Sequence, residues 1–168
     1  MNKTAIIYSF NTNKTGKIAV QIQEGFKDPA IEMLNAEEIT EDLFLSYDQI
    51  IMGVPTWFDG ELPNYWDEFV PALEEMDLKG KKMALFGLGD QKGYPENFLD
   101  GVGIMAEILE VQGASLVGFT SAEGYTFESS RALQNDQFKG LAIDYENQGS
   151  MNQERVDAWI DQLRKEFA

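Results

Sequence analysis

Apolar runs rich in β-branched residues alternate with stretches of helical period from one end of this 168-residue chain to the other. Thr4-Ala5-Ile6-Ile7-Tyr8, Ala30-Ile31-Glu32-Met33-Leu34, Gln49 to Val54, Lys82 to Gly87 and Ser115 to Gly118 read as strands. Between them, Ile18, Ala19, Ile22 and Phe26 recur at helical spacing, as do Trp66, Phe69, Val70 and Leu73 behind Pro63. Parallel neighbours need a long crossover, which covers a face of the sheet, so strand–helix repetition builds parallel sheets. Nearly unbroken apolar strands such as Gln49 to Val54 are the kind buried on both faces. The fold class is α/β.

The rest of the chain fits this frame with one interruption. Asn35 to Tyr47 reads as a loop with a brief helical turn, and a helix is expected to start at Asn97 and end at Gly113. The fifth strand resumes only at Leu141-Ala142-Ile143, after a stretch that is neither helical nor low in complexity. A last helix from about Asn152 places Val156, Trp159, Ile160, Leu163 and Phe167 inward. Trp66 and Trp159 lie on helix faces and are read as core. With no repeat, linker or shift in composition, residues 1–168 are expected to form a single domain with a complete core.

The chain has no cysteine and no histidine. Thiol nucleophiles, Ser-His-Asp triads, thiolate or imidazole zinc sites and protein-ligated iron–sulfur clusters are therefore excluded, and no metal site is expected. What is left is carboxylates, hydroxyls, amines and whatever an organic cofactor supplies. No apolar run reaches the ~20 residues of a membrane span, so no membrane insertion and a cytoplasmic location are expected. A net charge of −16 argues against nucleic acid, whose phosphates require Lys and Arg. From Asp28 through Leu78 there is no Lys or Arg, yet the segment holds 14 of the 29 acids. Read blandly, that is a solvated surface; read functionally, it is a negative face that steers basic protein partners.

Three loops follow strands, where ligands bind in open α/β sheets. Pro55-Thr56-Trp57 follows the third strand and Leu88-Gly89-Asp90-Gln91-Lys92-Gly93-Tyr94 the fourth. No helical period demands an aromatic residue at Trp57 or Tyr94, and rings on two neighbouring loops make jaws for a flat ligand. Ser9-Phe10-Asn11-Thr12-Asn13-Lys14-Thr15 follows the first strand and offers hydroxyls and amides suited to a phosphate. An aromatic sandwich beside a phosphate cradle points to flavin mononucleotide (FMN).

At these positions the chain resembles the flavodoxin family, and its long-chain type. The resemblance is carried by Pro55-Thr56-Trp57, Gly60-Glu61-Leu62, Gly89-Asp90-Gln91, Gly93-Tyr94, Asn97-Phe98, Gly124-Tyr125 and Gly140-Leu141-Ala142-Ile143-Asp144, across essentially the whole sequence. It implies a flavodoxin-like, doubly wound five-stranded parallel sheet of order 2-1-3-4-5, with helices on both faces. The fifth strand is interrupted by the insertion that marks long-chain members. FMN at the switch point is a known property of such sheets rather than a reading of these residues. The resemblance further implies that Trp57 and Tyr94 cover opposite faces of the isoalloxazine. Backbone groups of Phe58, Asp59, Gly89 and Asp90, with Asn97, would bond its polar edge, and Thr56 would meet the ribityl phosphate end. Pro55, Gly60 and Leu88 complete the expected contacts.

The phosphate loop departs from the family pattern T-x-T-G-x-T. In the register that keeps the following helix aligned, Thr12 and Thr15 match, Phe10 replaces a threonine and Asn13 replaces the glycine. A rival register places Thr15-Gly16 on the family's Thr-Gly but lacks the final threonine and lengthens the loop. Asn tolerates positive φ, so Asn13 is expected to keep the turn. Phe10 has no hydroxyl, and a lost hydrogen bond to a charged group costs about 1.5–3 kcal/mol. The loop opens a helix, whose amides suit a phosphate; Lys14 would add positive charge there, although a solvated lysine is the expected outcome.

The family resemblance implies a low-potential one-electron carrier, not an enzyme, that passes electrons between redox proteins in place of ferredoxin. A peptide after the Trp-bearing turn, here Phe58–Asp59, flips on one-electron reduction in such proteins. Carboxylates such as Asp90 and Asp59, with no cation expected nearby, disfavour further negative charge on the flavin. One charge at about 7 Å and an effective dielectric of about 20 contributes about 2 kcal/mol, or about 100 mV for one electron. Basic redox proteins are the expected partners, with ferredoxin–NADP reductase, photosystem I and other ferredoxin-dependent enzymes as candidates, and a monomer is expected. An alternative is a flavin-dependent NAD(P)H reductase on the same fold, which would have to admit a second ring past Trp57 or Tyr94. A receiver-type signalling module would carry an aspartate after the third strand, where Val54-Pro55-Thr56 stand instead.

Overall fold

The computed structural model describes residues 2–168. Five parallel strands, β1 (Thr4–Tyr8), β2 (Glu32–Asn35), β3 (Gln49–Gly53), β4 (Lys82–Leu88) and β5 (Ser115–Val117), run in the order β2-β1-β3-β4-β5. Alternate strand residues feed two cores. Ile6, Ile51 and Ala84 face α1 (Lys14–Phe26) and α6 (Asn152–Glu166), where Ile18, Ile22, Trp159 and Leu163 are fully or almost fully buried. Ile7, Ile50, Met52 and Leu85 point the other way, into a core with α3 (Asn64–Leu73) and α4 (Asp100–Val111). The short helices α2 (Glu41–Leu45) and α5 (Tyr145–Gln148) lie in the connections after β2 and before α6. This is the period-2 alternation of a sheet covered on both sides. Trp66 and Trp159 are both core, and each buried indole N–H is satisfied by a carbonyl, Gly53 at 2.9 Å and Gly118 at 2.8 Å.

The interrupted strand is real and continuous in space. β5 pairs with Lys82 to Ala84 of β4, and the strand at Leu141–Ile143 pairs with Phe86 to Leu88 of the same strand. Between them the chain builds a small antiparallel sheet from Thr120–Ser121, Leu133–Gln134 and Gln137–Phe138. In chain order these are β6, β7 and β8, and Leu141–Ile143 is β9. Phe98, Tyr125, Phe127 and Phe138 pack ring on ring beneath this sheet, with centroids 5.1–5.8 Å apart.

Three local expectations need correction. β2 starts at Glu32 rather than Ala30, because Asp28 turns the chain by accepting from the amides of Ala30 (3.0 Å, side chain) and Ile31 (3.2 Å, carbonyl). The fourth helix starts at Asp100, not Asn97: Leu99 is left-handed at φ 60°, and the Phe98 amide leaves the helix path to donate to Ser129. Asn13 does not use positive φ; it sits at φ −90°, and the turn before it is held by the amide and hydroxyl of Thr12 donating to the Ser9 carbonyl at 3.2 and 2.7 Å.

Candidate functional site

The strand order reverses between β1 and β3, and a cleft of about 670 Å³ opens beside it at the carboxyl ends of β3 and β4. One wall is the turn after β3. The amide of Trp57 donates to the Glu61 carbonyl at 2.8 Å and the amide of Glu61 returns to Trp57 at 2.7 Å, closing a hairpin of Phe58, Asp59 and Gly60. So tight a turn needs left-handed residues: Gly60 takes φ 90° and Phe58 takes φ 52°. Trp57 is half-buried and stands edge-on to Tyr65 at 5.9 Å, which fixes its ring, whereas Phe58 is 72% exposed.

The facing wall is the loop after β4. Leu88 and Gly89 form its base, and Tyr94, 62% exposed, stands at its rim. Asp90 shapes this loop: its Oδ1 accepts from Gly93 N–H at 2.8 Å, Lys92 N–H at 3.1 Å and Asn147 Nδ2 at 2.8 Å. The Gly93 amide first, then Asn147, hold the Asp90 carboxyl below its ordinary range against the opposing effect of burial; Lys92 and the Lys14 charge assist. Burial, with a smaller contribution from the Glu37 charge, pushes the Tyr65 phenol well up.

The structure gathers Lys14, Thr56, Trp57, Phe58, Asp59, Leu88, Gly89, Asp90, Tyr94 and Asn97 around this one cleft. Thr56 Oγ1 accepts from the Gly101 amide at 2.8 Å, at the start of α4, leaving its own proton for another partner. The Gly89 amide is already committed to the Ile143 carbonyl at 2.9 Å, so of that pair only the Asp90 amide is open to a ligand. Pro55 and Gly60 belong to the Trp57 turn but do not line the cleft. Ser9, Asn11 and Thr15 also stand back from the cleft, while Phe10, Thr12 and Asn13 face a neighbouring hollow of about 680 Å³. Lys14 is exposed, as expected, yet it lines the cleft and pairs with Glu146, which corrects the expectation of a site without a cation.

Two lining residues escaped the sequence reading, Tyr145 and Glu146. Their signal was available, since they follow β9 just as Trp57 and Tyr94 follow β3 and β4. Among the described residues no group of acids is placed to hold a metal ion, and no helix is long and apolar enough to cross a membrane.

The sheet and cleft define a doubly wound α/β protein whose candidate site is a cleft beside the switch point. Comparison with known proteins narrows that class. The family profile Flavodoxin matches residues 6–159. Flavodoxin from Synechococcus elongatus is 41% identical over 169 residues, covering 99% of each chain. Flavodoxin 1 from Escherichia coli K12 is 39% identical over 165 residues, 98% of this chain and 94% of the other. The crystal structure of Fusobacterium nucleatum flavodoxin bound to flavin mononucleotide superposes with a TM-score of 0.94 at 32% identity, over 100% of both chains. This chain belongs to the flavodoxin family.

Proposed function

We propose that this protein is a one-electron carrier that holds FMN non-covalently in the Trp57–Tyr94 cleft and passes electrons between redox proteins. The observation that carries this is the pair of aromatic walls, Trp57 and Tyr94, on adjacent strand-end loops flanking a cleft of about 670 Å³. That volume lies in the range of small-ligand sites, about 300–1,000 Å³. At the neighbouring N-terminus of α1, no described residue accepts from the amides of Lys14, Thr15 and Gly16, and free first-turn amides suit a phosphate. The donor set therefore fits FMN.

FMN, when bound, supplies the redox chemistry; the chain supplies the rest. Trp57 and Tyr94 would cover the ring and exclude water. The Asp59 carbonyl and the open Asp90 amide would bond the ring's polar edge, and Thr56 would give its free proton toward the ribityl. Ser9 through Thr15 are assigned to the phosphate end, with Pro55, Gly60, Leu88 and Gly89 as the frame. Asp59 and Asp90 place negative charge beside the ring and favour low potential, and the Lys14–Glu146 pair returns little of it because its charges offset.

In this reading residues 1–168 act as one monomeric unit in the cytoplasm, with basic redox proteins as partners. Ferredoxin–NADP reductase, photosystem I and other ferredoxin-dependent enzymes are the candidates. The test has two parts. Denaturing the purified protein should release FMN; release of FAD, or of no flavin, counts against the site. Anaerobic reduction should show two well-separated one-electron steps, with slow direct oxidation of NAD(P)H. Fast turnover with NAD(P)H alone would make the protein a reductase instead.

A further inference from the structure

We infer that Glu37 sets the affinity and selectivity of the Ser9–Thr15 loop for a phosphate, acting as an internal anion that holds donors of that loop. The inference rests on the assignment of this loop to the phosphate end of FMN.

Ser9 is 2% exposed, and its hydroxyl donates to Glu37 Oε2 at 2.8 Å. The side-chain amide of Asn11 donates to the same oxygen at 2.6 Å. Ser9 Oγ in turn accepts from the Asn11 backbone amide at 3.2 Å, so the carboxylate organises both residues. Its position is fixed by Asn35 at the end of β2. Asn35 Oδ1 caps the short helical turn carrying Glu37, accepting from the Glu37 amide at 3.2 Å, and also accepts from the Phe10 amide at 3.2 Å. The loop and the Glu37 turn are thus one interlocked unit.

Two kinds of donor in this loop would serve an incoming anion: hydroxyl and side-chain amide protons, and the first amides of α1. Glu37 occupies two of the first kind, the Ser9 hydroxyl and the Asn11 side-chain amide, with a negative charge of its own. The second kind remains open at Lys14, Thr15 and Gly16. A phosphate seated there meets the field of Glu37, while Lys14, the cation at the cleft, is committed to Glu146. Glu37 consequently weakens phosphate binding and leaves a phosphate-free ligand unaffected. The substitution Glu37→Gln separates charge from shape, because the glutamine Oε1 can still accept from Ser9 and Asn11.

The experiment titrates wild-type and Glu37→Gln apoprotein with FMN and with riboflavin, following quenching of flavin fluorescence. FMN should bind about tenfold more tightly to the variant, the size expected when one nearby charge is removed from partly hydrated surroundings. Riboflavin binding should be unchanged, so the preference for FMN over riboflavin widens about tenfold. Glu37→Ser, which removes charge and contact together, should widen the preference in the same direction even if it loosens the loop. An unchanged preference in both variants, or an equal gain for both flavins, overturns the inference while leaving the phosphate assignment standing. If wild-type protein shows no preference for FMN over riboflavin, the loop is not the phosphate site, and that assignment falls with the inference built on it.

Discussion

The side-chain amide of Asn97 donates to the Asp59 carbonyl at 3.3 Å, tying the Tyr94-bearing loop to the turn that carries Trp57. The two walls of the cleft are thereby coupled through one side chain. The packing behind it is close: a Cβ on Gly60 would lie 2.8 Å from Asn97 Nδ2 and 2.6 Å from Asp100 Oδ2. Asn97→Ala should release the turn and weaken FMN binding by about threefold to tenfold, the worth of one neutral hydrogen bond. Fluorescence titration of the apoprotein measures this, and an unaltered affinity would show that the turn holds its shape without the tie.

Behind Asn97 stands Asp100, which is 4% exposed. Its Oδ2 accepts from Asn97 at 3.2 Å and its Oδ1 from the Arg131 amide at 2.8 Å, so it joins the cleft to the inserted sheet. Asp100→Ala leaves the part-buried Arg131 amide without its acceptor and leaves Asn97 with only its bond to the Asp59 carbonyl. Unfolding free energy should fall by about 2–3 kcal/mol, and the thermal midpoint by roughly 5–10 °C for a chain of this size. A loss below about 0.5 kcal/mol in urea unfolding would mean that water replaces the carboxylate without cost.

Phe58 occupies the left-handed region at φ 52° with its side chain 72% exposed, so the strain of that conformation is offset by little burial. A left-handed non-glycine residue costs about 1–2 kcal/mol. The peptide flip that the family resemblance implies turns on this residue, and one end of the flip needs positive φ here. The reduced state is expected to use that end. Phe58→Gly should then raise the potential of the first one-electron step by about 40 mV per kcal/mol of strain relieved. Spectroelectrochemistry decides: a potential unchanged or lowered excludes Phe58 as the hinge.

The parts of this fold visible in the sequence are those whose stability comes from burial. Thr4–Tyr8 and Gln49–Gly53 announce themselves because central parallel strands must be apolar along their length. The inserted sheet is silent, since each of its strands is two residues long and takes its hold from aromatic packing with Phe98, distant in sequence. The start of α4 misled for a related reason. Leu99 precedes it, where a capping Ser, Thr, Asp or Asn would have marked the boundary. Trp57 and Tyr94 were legible as rings that no amphipathic period explains. Glu37 was not, because nothing local distinguishes it from its exposed acidic neighbours until β2 is set beside β1.

All fourteen acids between Asp28 and Leu78 are exposed, and Asp59 and Glu61 carry that surface to the edge of the cleft. Association with a basic redox partner should therefore slow steeply with salt, because at about 150 mM ionic strength the Debye length is only about 8 Å. Stopped-flow rates between about 20 and 500 mM NaCl test this. A second-order rate constant flat across that range would reduce the acidic face to a solubilising surface.

Asp90 gives the site a pH dependence whose sign can be worked out. The Gly93 amide, then the Asn147 side chain, hold its carboxyl below the ordinary value, with burial opposing and Lys92 and Lys14 assisting. A carboxylate depressed in the folded state adds stability above its unfolded pKa of about 3.9, and loses it as pH falls through the folded value. Asp90→Asn keeps an oxygen to accept from Gly93 but removes the charge that strengthens the bonds. At pH 7 the variant apoprotein should be less stable by about 1 kcal/mol, a midpoint roughly 2–4 °C lower. As pH falls below the unfolded value of about 3.9 the gap should begin to narrow, and it should close only as pH passes through the lower folded value, where the wild-type carboxyl also takes up a proton. Thermal unfolding of both proteins from about pH 7 down to about pH 2 follows the difference across that window. A gap that stays constant through the acid limb would show that Asp90 holds the Tyr94 loop by shape alone.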